Sequence, residues 1–354
     1  MPSESNQNAG ATDAAKQIVV SVIVPTLNEE VVIAKCLASL AGQDFPRDSF
    51  EVIVVDNGSV DRTIEVARSF GTSLHLTILQ KSNCSISALR NLGANAAKGQ
   101  YLSFLDSDCL APFDWLSRAV DLLRLGDGGV MGAFYTIPEG SSWVAKAWYG
   151  DMPKLRHGRV NYVPSGTLFI SRSVFFKVGG FDEAIATSED FELCQRVTSA
   201  GFQVLAFSVL STVHLGTPQT LSGFYRKALW HGTGVRTGFL RNVKDSGFGK
   251  TILLTAYWLF WLVAAVVLVP LALAVHDLAL ISLAPAFLLL GSAVLAARNA
   301  ALRKRWSVVL PLTVLYMAYG VARSMSLLGF GKKRATPSVA PAALGPYARS
   351  ANVE

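Results

Sequence analysis

An α/β domain with a mostly parallel central sheet, followed by an α-helical membrane region, is the architecture the sequence predicts. Three observations carry it. Short β-rich runs alternate with helical ones from Ile18 onward, the pattern of strands joined by crossover helices. Polar clusters sit at the ends of those strands, where parallel sheets bind their ligands. Past residue 250 the chain turns into long apolar runs, and these concentrate a hydrophobic content of 51% and a mean hydropathy of +0.37. A chain of 354 residues has room for both parts.

In chain order, IVVSVIVPT (18–26) reads as a strand and NEEVVIAKCLASLAGQ (28–43) as a helix with acids in its first turn. FEVIVVDNGSVD (50–61) is a strand and turn, and RTIEVARSFG (62–71) is a helix ending at glycine. HLTILQK (75–81), SISALRNLGANAAKG (85–99) and YLSFLD (101–106) repeat strand, helix, strand. NYVPSGTLFISRSVFFKVGGFDE (161–183) gives a strand, a short helix and a Gly-Gly turn. TSEDFELCQRVTSAGFQV (187–204) is a helix with Ser188 as its cap, Glu189, Asp190 and Glu192 in its first turn and Gly201 at its end.

TILLTAYWLFWLVAAVVLVPLALAV (251–275) and LALISLAPAFLLLGSAVLAA (278–297) carry no charge and are each long enough to cross a bilayer. Only His276 and Asp277 lie between them, so they read as a tight hairpin. A third run, 306–330, is diluted by Arg323 and either spans the membrane or lies in its interface. Arg298, Arg303, Lys304 and Arg305 mark the loop before it as cytoplasmic. The expected protein is thus multi-pass in the cell's inner (plasma) membrane, with everything before Thr251 in the cytosol. Residues 1–225 hold 17 basic and 22 acidic side chains, whereas 226–354 hold 15 and 3. Basic charge around apolar spans suits anionic lipid headgroups. Without a nucleic-acid-binding motif, the expected partner is the lipid bilayer and not nucleic acid.

The domain scheme is a disordered tail (1–17), the α/β domain (18–225), a basic juxtamembrane linker (226–250), the membrane region (251–330) and a flexible tail (331–354). The first seventeen residues lack the basic-then-apolar pattern of a signal peptide. Cys36, Cys84, Cys109 and Cys194 are widely spaced with no C-x-x-C, in keeping with a reducing cytosol.

The run GQYLSFLDSDCLAP (99–112) ends a buried strand on two carboxylates, Asp106 and Asp108. In extended backbone such a pair shares a face about 6–7 Å apart, and the charges repel unless a cation lies near. Two hard oxygen ligands suit Mg2+ or Mn2+; the alternative is a helix cap or a polar turn. Pro25-Thr26, Asp56-Asn57-Gly58 and the Asp106/Asp108 pair end three strands, so one shared crevice is the economical reading. PTLNEE stands where a dinucleotide fold would place G-x-G-x-x-G. The glycine- and arginine-rich loop of a sugar nucleotidylyltransferase is missing too. Glu189 and Asp190 have a purely structural alternative, since acids stabilise a helix N-terminus.

Taken in order, SVIVPTLNEE, EVIVVDNGSVDRT, RNLGANAAKGQYLSFLDSD, VGGFDE and SEDFELCQRVTSAGF resemble the successive motifs of family-2 inverting glycosyltransferases with a GT-A fold, over residues 18–215. The resemblance implies that Pro25, Thr26 and Glu29 line the base and ribose of a nucleotide-sugar donor and that Asp56 bonds the base. Asp106 and Asp108 resemble the D-x-D motif, Asp108 as the direct ligand of Mn2+ or Mg2+ and Asp106 nearer the ribose. Asp190, with Glu189 beside it in the donor site, resembles the catalytic base that deprotonates an acceptor hydroxyl. His214, expected on a strand, is either a further metal ligand or a structural histidine. Arg90 and Asn91 either position the diphosphate or sugar, or, for Arg90, lie at the surface. Trp143, Trp148 and Tyr149 either line an acceptor pocket or are buried anchors.

Arg226 and Trp230 are present without the glutamine of the processive Q-x-x-R-W motif, which points to transfer of a single sugar. The acceptor implied is a membrane-associated hydroxyl, as on a lipid-linked glycan of cell-envelope or exopolysaccharide synthesis. A polyprenyl phosphate is the alternative acceptor. A docking subunit that keeps the fold without catalysis is the rival class, and intact Asp106, Asp108 and Asp190 argue against it.

Overall fold

Alternation along the first strands sets the layers. Val20, Val22 and Val24 of β1 (Val20–Thr26) face one hydrophobic core and Ile23 faces another; in β2 (Phe50–Asp56), Val52 and Val54 face the first and Ile53 and Val55 the second. A strand buried on both faces has helices on both sides, and that is the arrangement here. The computed structural model describes residues 17–185, 187–239 and 246–330. The tails expected at 1–17 (Gln17 apart) and 331–354, and residues 240–245 of the linker, lie outside the described residues.

Between and after these strands come α1 (Ile33–Ala41), α2 (Thr63–Arg68), β3 (Leu76–Gln80), α3 (Ile86–Ala96) and β4 (Tyr101–Leu105). Next follow β5 (Cys109–Leu110), α4 (Trp115–Leu125), β6 (Val130–Gly132), α5 (Trp143–Trp148), α6 (Met152–Leu155) and β7 (Gly158–Arg159). The domain closes with β8 (Thr167–Ser171), α7 (Arg172–Lys177), α8 (Glu189–Ser199), β9 (Val204–Ala206) and β10 (Val213–His214). Among the described residues, four longer helices follow: α9 (Leu221–Phe239), α10 (Ser246–Ala274), α11 (Ala279–Leu302) and α12 (Val309–Leu327).

Eight strands form one sheet in the order β3-β2-β1-β4-β8-β6-β9-β7. The pairings β1–β2, β1–β4, β2–β3 and β6–β9 are parallel, while β8 and β7 run against their neighbours. The sheet is therefore mostly parallel, as expected, with reversed strands in its second half. Residues of α1, α2 and α4 pack on one face and those of α3, α7 and α8 on the other.

Two local expectations are corrected. The helix read over 28–43 starts only at Ile33 and has no acid in its first turn. Side chains of the loop after β2 capture its would-be first turn. Asn28 and Glu29 donate their N–H groups to Ser59 Oγ (2.9 Å) and Thr63 Oγ1 (2.7 Å), and Asn28 Oδ1 accepts from Val60 N–H (2.9 Å). Ser188 does not cap α8 with its side chain. Its φ of +68° places it in the left-handed region, away from the extended backbone a cap needs.

Among the described residues, three helices are long and apolar enough to cross a membrane: Leu253–Ala274, Ala279–Leu302 and Trp306–Leu327. The third differs from the other two. It packs along α9 and against α5, where Trp148 meets Phe224 at 4.8 Å, Tyr316 at 5.1 Å and Tyr319 at 5.5 Å. Trp148 is thus a partly buried anchor between the α/β domain and α12. Arg303, at the end of α11, donates to Ala147 O (2.6 Å) and lies 3.6 Å from Asp151. The α11–α12 loop is thereby fastened to the α/β domain.

Candidate active site

The carboxyl ends of β1, β2 and β4 open on one crevice. After β2, the fully buried Asp56 accepts from the N–H groups of Gly58 (3.0 Å) and Ser59 (3.1 Å) and from Gln80 Nε2 (3.3 Å). Those bonds spend most of its oxygen capacity on the shape of the turn. At the end of β1, Pro25 pairs with Val55, and Thr26 Oγ1 is buried with no partner among the described residues. Glu29 Oε2 is likewise buried and unpartnered among them. Burial, reinforced by the negative charges of Asp108, Asp61 and Asp106, pushes Glu29 up to about 8.

β4 stops at Leu105, and Cys109 N–H donates to Asp106 O at 2.9 Å to close a turn. β5 then pairs antiparallel with β10 in the register Cys109 to His214, and Leu215 N–H donates to Asp108 O at 2.8 Å. This two-stranded ribbon carries His214 to the acids. Candidate ligand atoms of Asp106, Asp108, Cys109 and His214 all lie within 4.8 Å of one another, and His214 Nε2 stands 3.6 Å from Asp108 Oδ2. A Cβ at Gly216 would collide with Asp108 Oδ2, and one at Gly166 with Asp106 Oδ2. Only glycine permits that close approach.

The donor chemistry fits a hard divalent cation. Burial lowers the pKa of His214, and Lys227 adds to this against the opposing charge of Asp108; the imidazole is therefore neutral at pH 7 and available as a ligand. Burial also drives the Cys109 thiol far up, so it stays protonated and the set reduces to two carboxylates and one imidazole. Such N/O sets suit Mn2+ or Mg2+.

Arg90, 3% exposed, is the hub of the crevice. Its Nη1 donates to Glu189 Oε1 at 2.7 Å and its Nη2 to Asp106 Oδ1 at 2.8 Å. Burial opposes the charge on Arg90, and the two carboxylates more than offset it. In return, and against burial, Arg90 holds Asp106 below the ordinary carboxylate range. The surface alternative for Arg90 is thus corrected. Asn91 is spent elsewhere: it donates to Phe181 O (2.9 Å) and Glu183 (3.0 Å), pinning the loop after Gly180.

Asp190 follows Glu189 in the first turn of α8 and accepts its neighbour's N–H, from Phe191, at 2.8 Å. Burial first, then the charge of Glu189, pushes Asp190 up to about 7. Sequence reading missed Tyr135, whose Oη donates to Asp106 Oδ2 at 3.0 Å and whose ring lies 4.7 Å from that of His214. It sits just beyond β6, so the strand-end rule that found Asp56 and Asp106 would have found it had the short β6 been recognised.

The architecture, a mostly parallel sheet with an acid-lined crevice at its carboxyl ends, is the GT-A fold. Residues 21–179 match glycosyl transferase family 2 and residues 102–322 match glycosyl transferase family group 2. The second match covers more than half of the chain, and the chain belongs to glycosyl transferase family 2. Glycosyltransferase AglE of Haloferax volcanii is 33% identical over 192 residues, covering 52% of this chain and 63% of that protein. The pre-mycofactocin glycosyltransferase of Mycobacterium tuberculosis is 28% identical over 228 residues, 60% of this chain and 46% of its own. The chain therefore spans less than two thirds of the length of these curated relatives. Among solved structures, the mannosyltransferase PcManGT from Pyrobaculum calidifontis, in complex with GDP-Man and Mn2+, superposes with a TM-score of 0.58 at 22% identity. That likeness covers 88% of this chain and 87% of the other, and it is one of fold.

Proposed function

We propose that this protein moves one sugar from a nucleotide-sugar donor to a hydroxyl of a membrane-associated acceptor, with inversion at the anomeric carbon. The observation that carries the reading is Arg90 clamping Asp106 and Glu189 together, so that the D-x-D turn and the start of α8 face one crevice. Buried Thr26 Oγ1 and Glu29 Oε2, unpartnered among the described residues, are polar atoms a nucleoside would satisfy. Pro25 and the turn built by Asp56 form the wall beside them.

Asp108, Asp106 and His214 would hold Mn2+ or Mg2+. When bound, the cation neutralises charge on the leaving diphosphate. Asp190 takes the proton of the acceptor hydroxyl as that oxygen attacks the anomeric carbon. A base with a pKa of about 7 is matched to that task at neutral pH. Its tuning favours a hydroxyl nucleophile over a phosphate, which is already ionised and needs no base.

The three apolar helices support a membrane setting. Because Arg303 bonds to the α/β domain, the basic α11–α12 loop and the crevice share one side of the bilayer, and the positive-inside rule makes that side the cytosol of the inner membrane. The acceptor that fits is a lipid-linked glycan of cell-envelope or exopolysaccharide synthesis.

The test uses detergent-purified protein with UDP-, GDP- and dTDP-sugars, membrane lipid extract as acceptor source, and Mn2+ or EDTA. Nucleoside diphosphate release from one donor, dependent on metal and lost in Asp108→Ala and Asp190→Asn, is the expected result. Failure of every nucleotide to bind, with any metal, would sink the enzymatic reading.

A further inference from the structure

Asp108 and His214 stand more than a hundred positions apart in the chain, and the ribbon that brings them together is short. β5 and β10 supply two residues each, pairing Leu110 with Val213 and Cys109 with His214. A two-stranded pairing of that length is marginal without support. The support comes from the chain just after β6.

β6 pairs with β8 on one side and with β9 on the other, inside the main sheet, so its end is a rigid mount. Beyond that mount Thr136 N–H donates to Thr212 O (2.9 Å), and Thr136 O accepts from His214 N–H (3.1 Å). Thr136 thereby bridges Val213 in parallel, as a third edge on the ribbon. Tyr135, one residue earlier, reaches both halves of the cluster. Its Oη donates to Asp106 Oδ2 at 3.0 Å, and its ring centre lies 4.7 Å from that of His214.

Two observations set this contact apart from ordinary packing. The ring rests against the first of the two cores, which a phenylalanine would do equally well, whereas the hydroxyl is spent on Asp106. Arg90 takes the other oxygen, Asp106 Oδ1, at 2.8 Å, so the carboxylate is held from both sides. A Cβ at Gly166 would also collide with both Tyr135 Oη and Asp106 Oδ2, so the backbone just before β8 closes over that bond.

We propose that Tyr135 is the positioning residue that makes one metal site of the D-x-D turn and His214: its hydroxyl fixes the Asp106 carboxylate and its ring fixes the His214 imidazole. Arg90 ties Asp106 to α8, and Tyr135 ties it to β10. A ligand oriented by an outer partner loses less freedom when the cation arrives, and removing such a partner costs about 10- to 100-fold in metal affinity. The inference rests on the Mn2+ or Mg2+ site proposed above.

The test titrates Mn2+ into full-length, detergent-purified protein, alone and with UDP or GDP, and follows the free-ion signal by electron paramagnetic resonance. Tyr135→Phe keeps the ring and should weaken Mn2+ binding about tenfold or more. Tyr135→Leu loses the ring as well and should weaken it further. Tyr162→Phe, which removes a hydroxyl beside the other core, should bind Mn2+ as wild type does. In turnover assays Tyr135→Phe should regain the wild-type plateau at high Mn2+, a rescue that a misfolded protein would not show. Tyr135→Phe binding Mn2+ like wild type, an equal loss in Tyr162→Phe, or Tyr135→Leu binding no more weakly than Tyr135→Phe would each overturn the proposal and leave the metal site standing. Mn2+ binding to none of the proteins, wild type included, would fail the metal site itself and the positioning role with it.

Discussion

The D-x-D turn after β4 and the acidic first turn of α8 solve the same problem in the same way. Each brings two carboxylates to the crevice, and in each the first is tied to Arg90 and the second is not. Asp106 and Glu189 accept from the two ends of one guanidinium, at 2.8 and 2.7 Å. Asp108 instead faces His214, and Asp190 is pushed up to about 7 by burial and by Glu189. One buried cation thus fixes both motifs through their less reactive members. In the proposed reaction that leaves Asp108 for a metal and Asp190 for a proton.

The comparison predicts distinct losses on the two sides. Asp190→Asn should cut turnover by about 10²- to 10⁴-fold, the range for a general base, with donor affinity and Mn2+ binding intact. Steady-state kinetics beside Mn2+ titration by electron paramagnetic resonance would read this. Asp108→Ala should cut turnover about 10²- to 10³-fold and abolish the Mn2+ signal change as well. Equal Mn2+ binding in Asp108→Ala and wild type would break the division of labour between the two turns.

Arg90 is where the two halves meet, so its removal tests their union. Arg90→Leu leaves two carboxylates facing each other without their cation, and breaking a buried pair in this way costs about 3–5 kcal/mol. Denaturant titration of the detergent-solubilised protein should show that loss. Arg90→Lys should recover only part of it, because one ammonium cannot span both carboxylates as the planar fork does. An Arg90→Leu variant as stable as wild type would mean that the two turns hold their places independently.

Much of this arrangement was legible in the sequence, and what was not has identifiable causes. Short apolar, β-rich runs gave β1, β2 and β4, and the strand-end rule picked out Thr26, Asp56, Asp106 and Asp108. The start of α1 was misread because Ser59 and Thr63, some thirty residues on, take the N–H groups of Asn28 and Glu29; no local pattern shows that. Arg90 looked like any helical arginine, since its partners lie 16 and 99 residues away. Tyr135 follows a strand of only three residues, Val130–Gly132, too short for alternation to declare itself. Trp148 was ambiguous for a related reason: whether it lines a pocket or anchors α12 depends on Tyr316 and Tyr319, more than 160 positions away.

The smallest predicted effect is the most specific to the comparison. If Asp190 is the base, turnover rises with pH along a limb whose midpoint is near its pKa of about 7. Burial and the negative charge of Glu189 both raise that value, while Arg90 lowers it. Glu189→Gln removes the like charge and leaves Arg90 less neutralised, and both changes favour the ionised form of Asp190. The limb should therefore move to lower pH, by less than about one unit, since burial, the larger cause, persists. Turnover at pH 6 would then fall less in the variant, relative to its own plateau, than in wild type. A limb that stays put, or moves upward, would show that Glu189 and Asp190 do not share one field, and that the first acid of α8 does not tune the second.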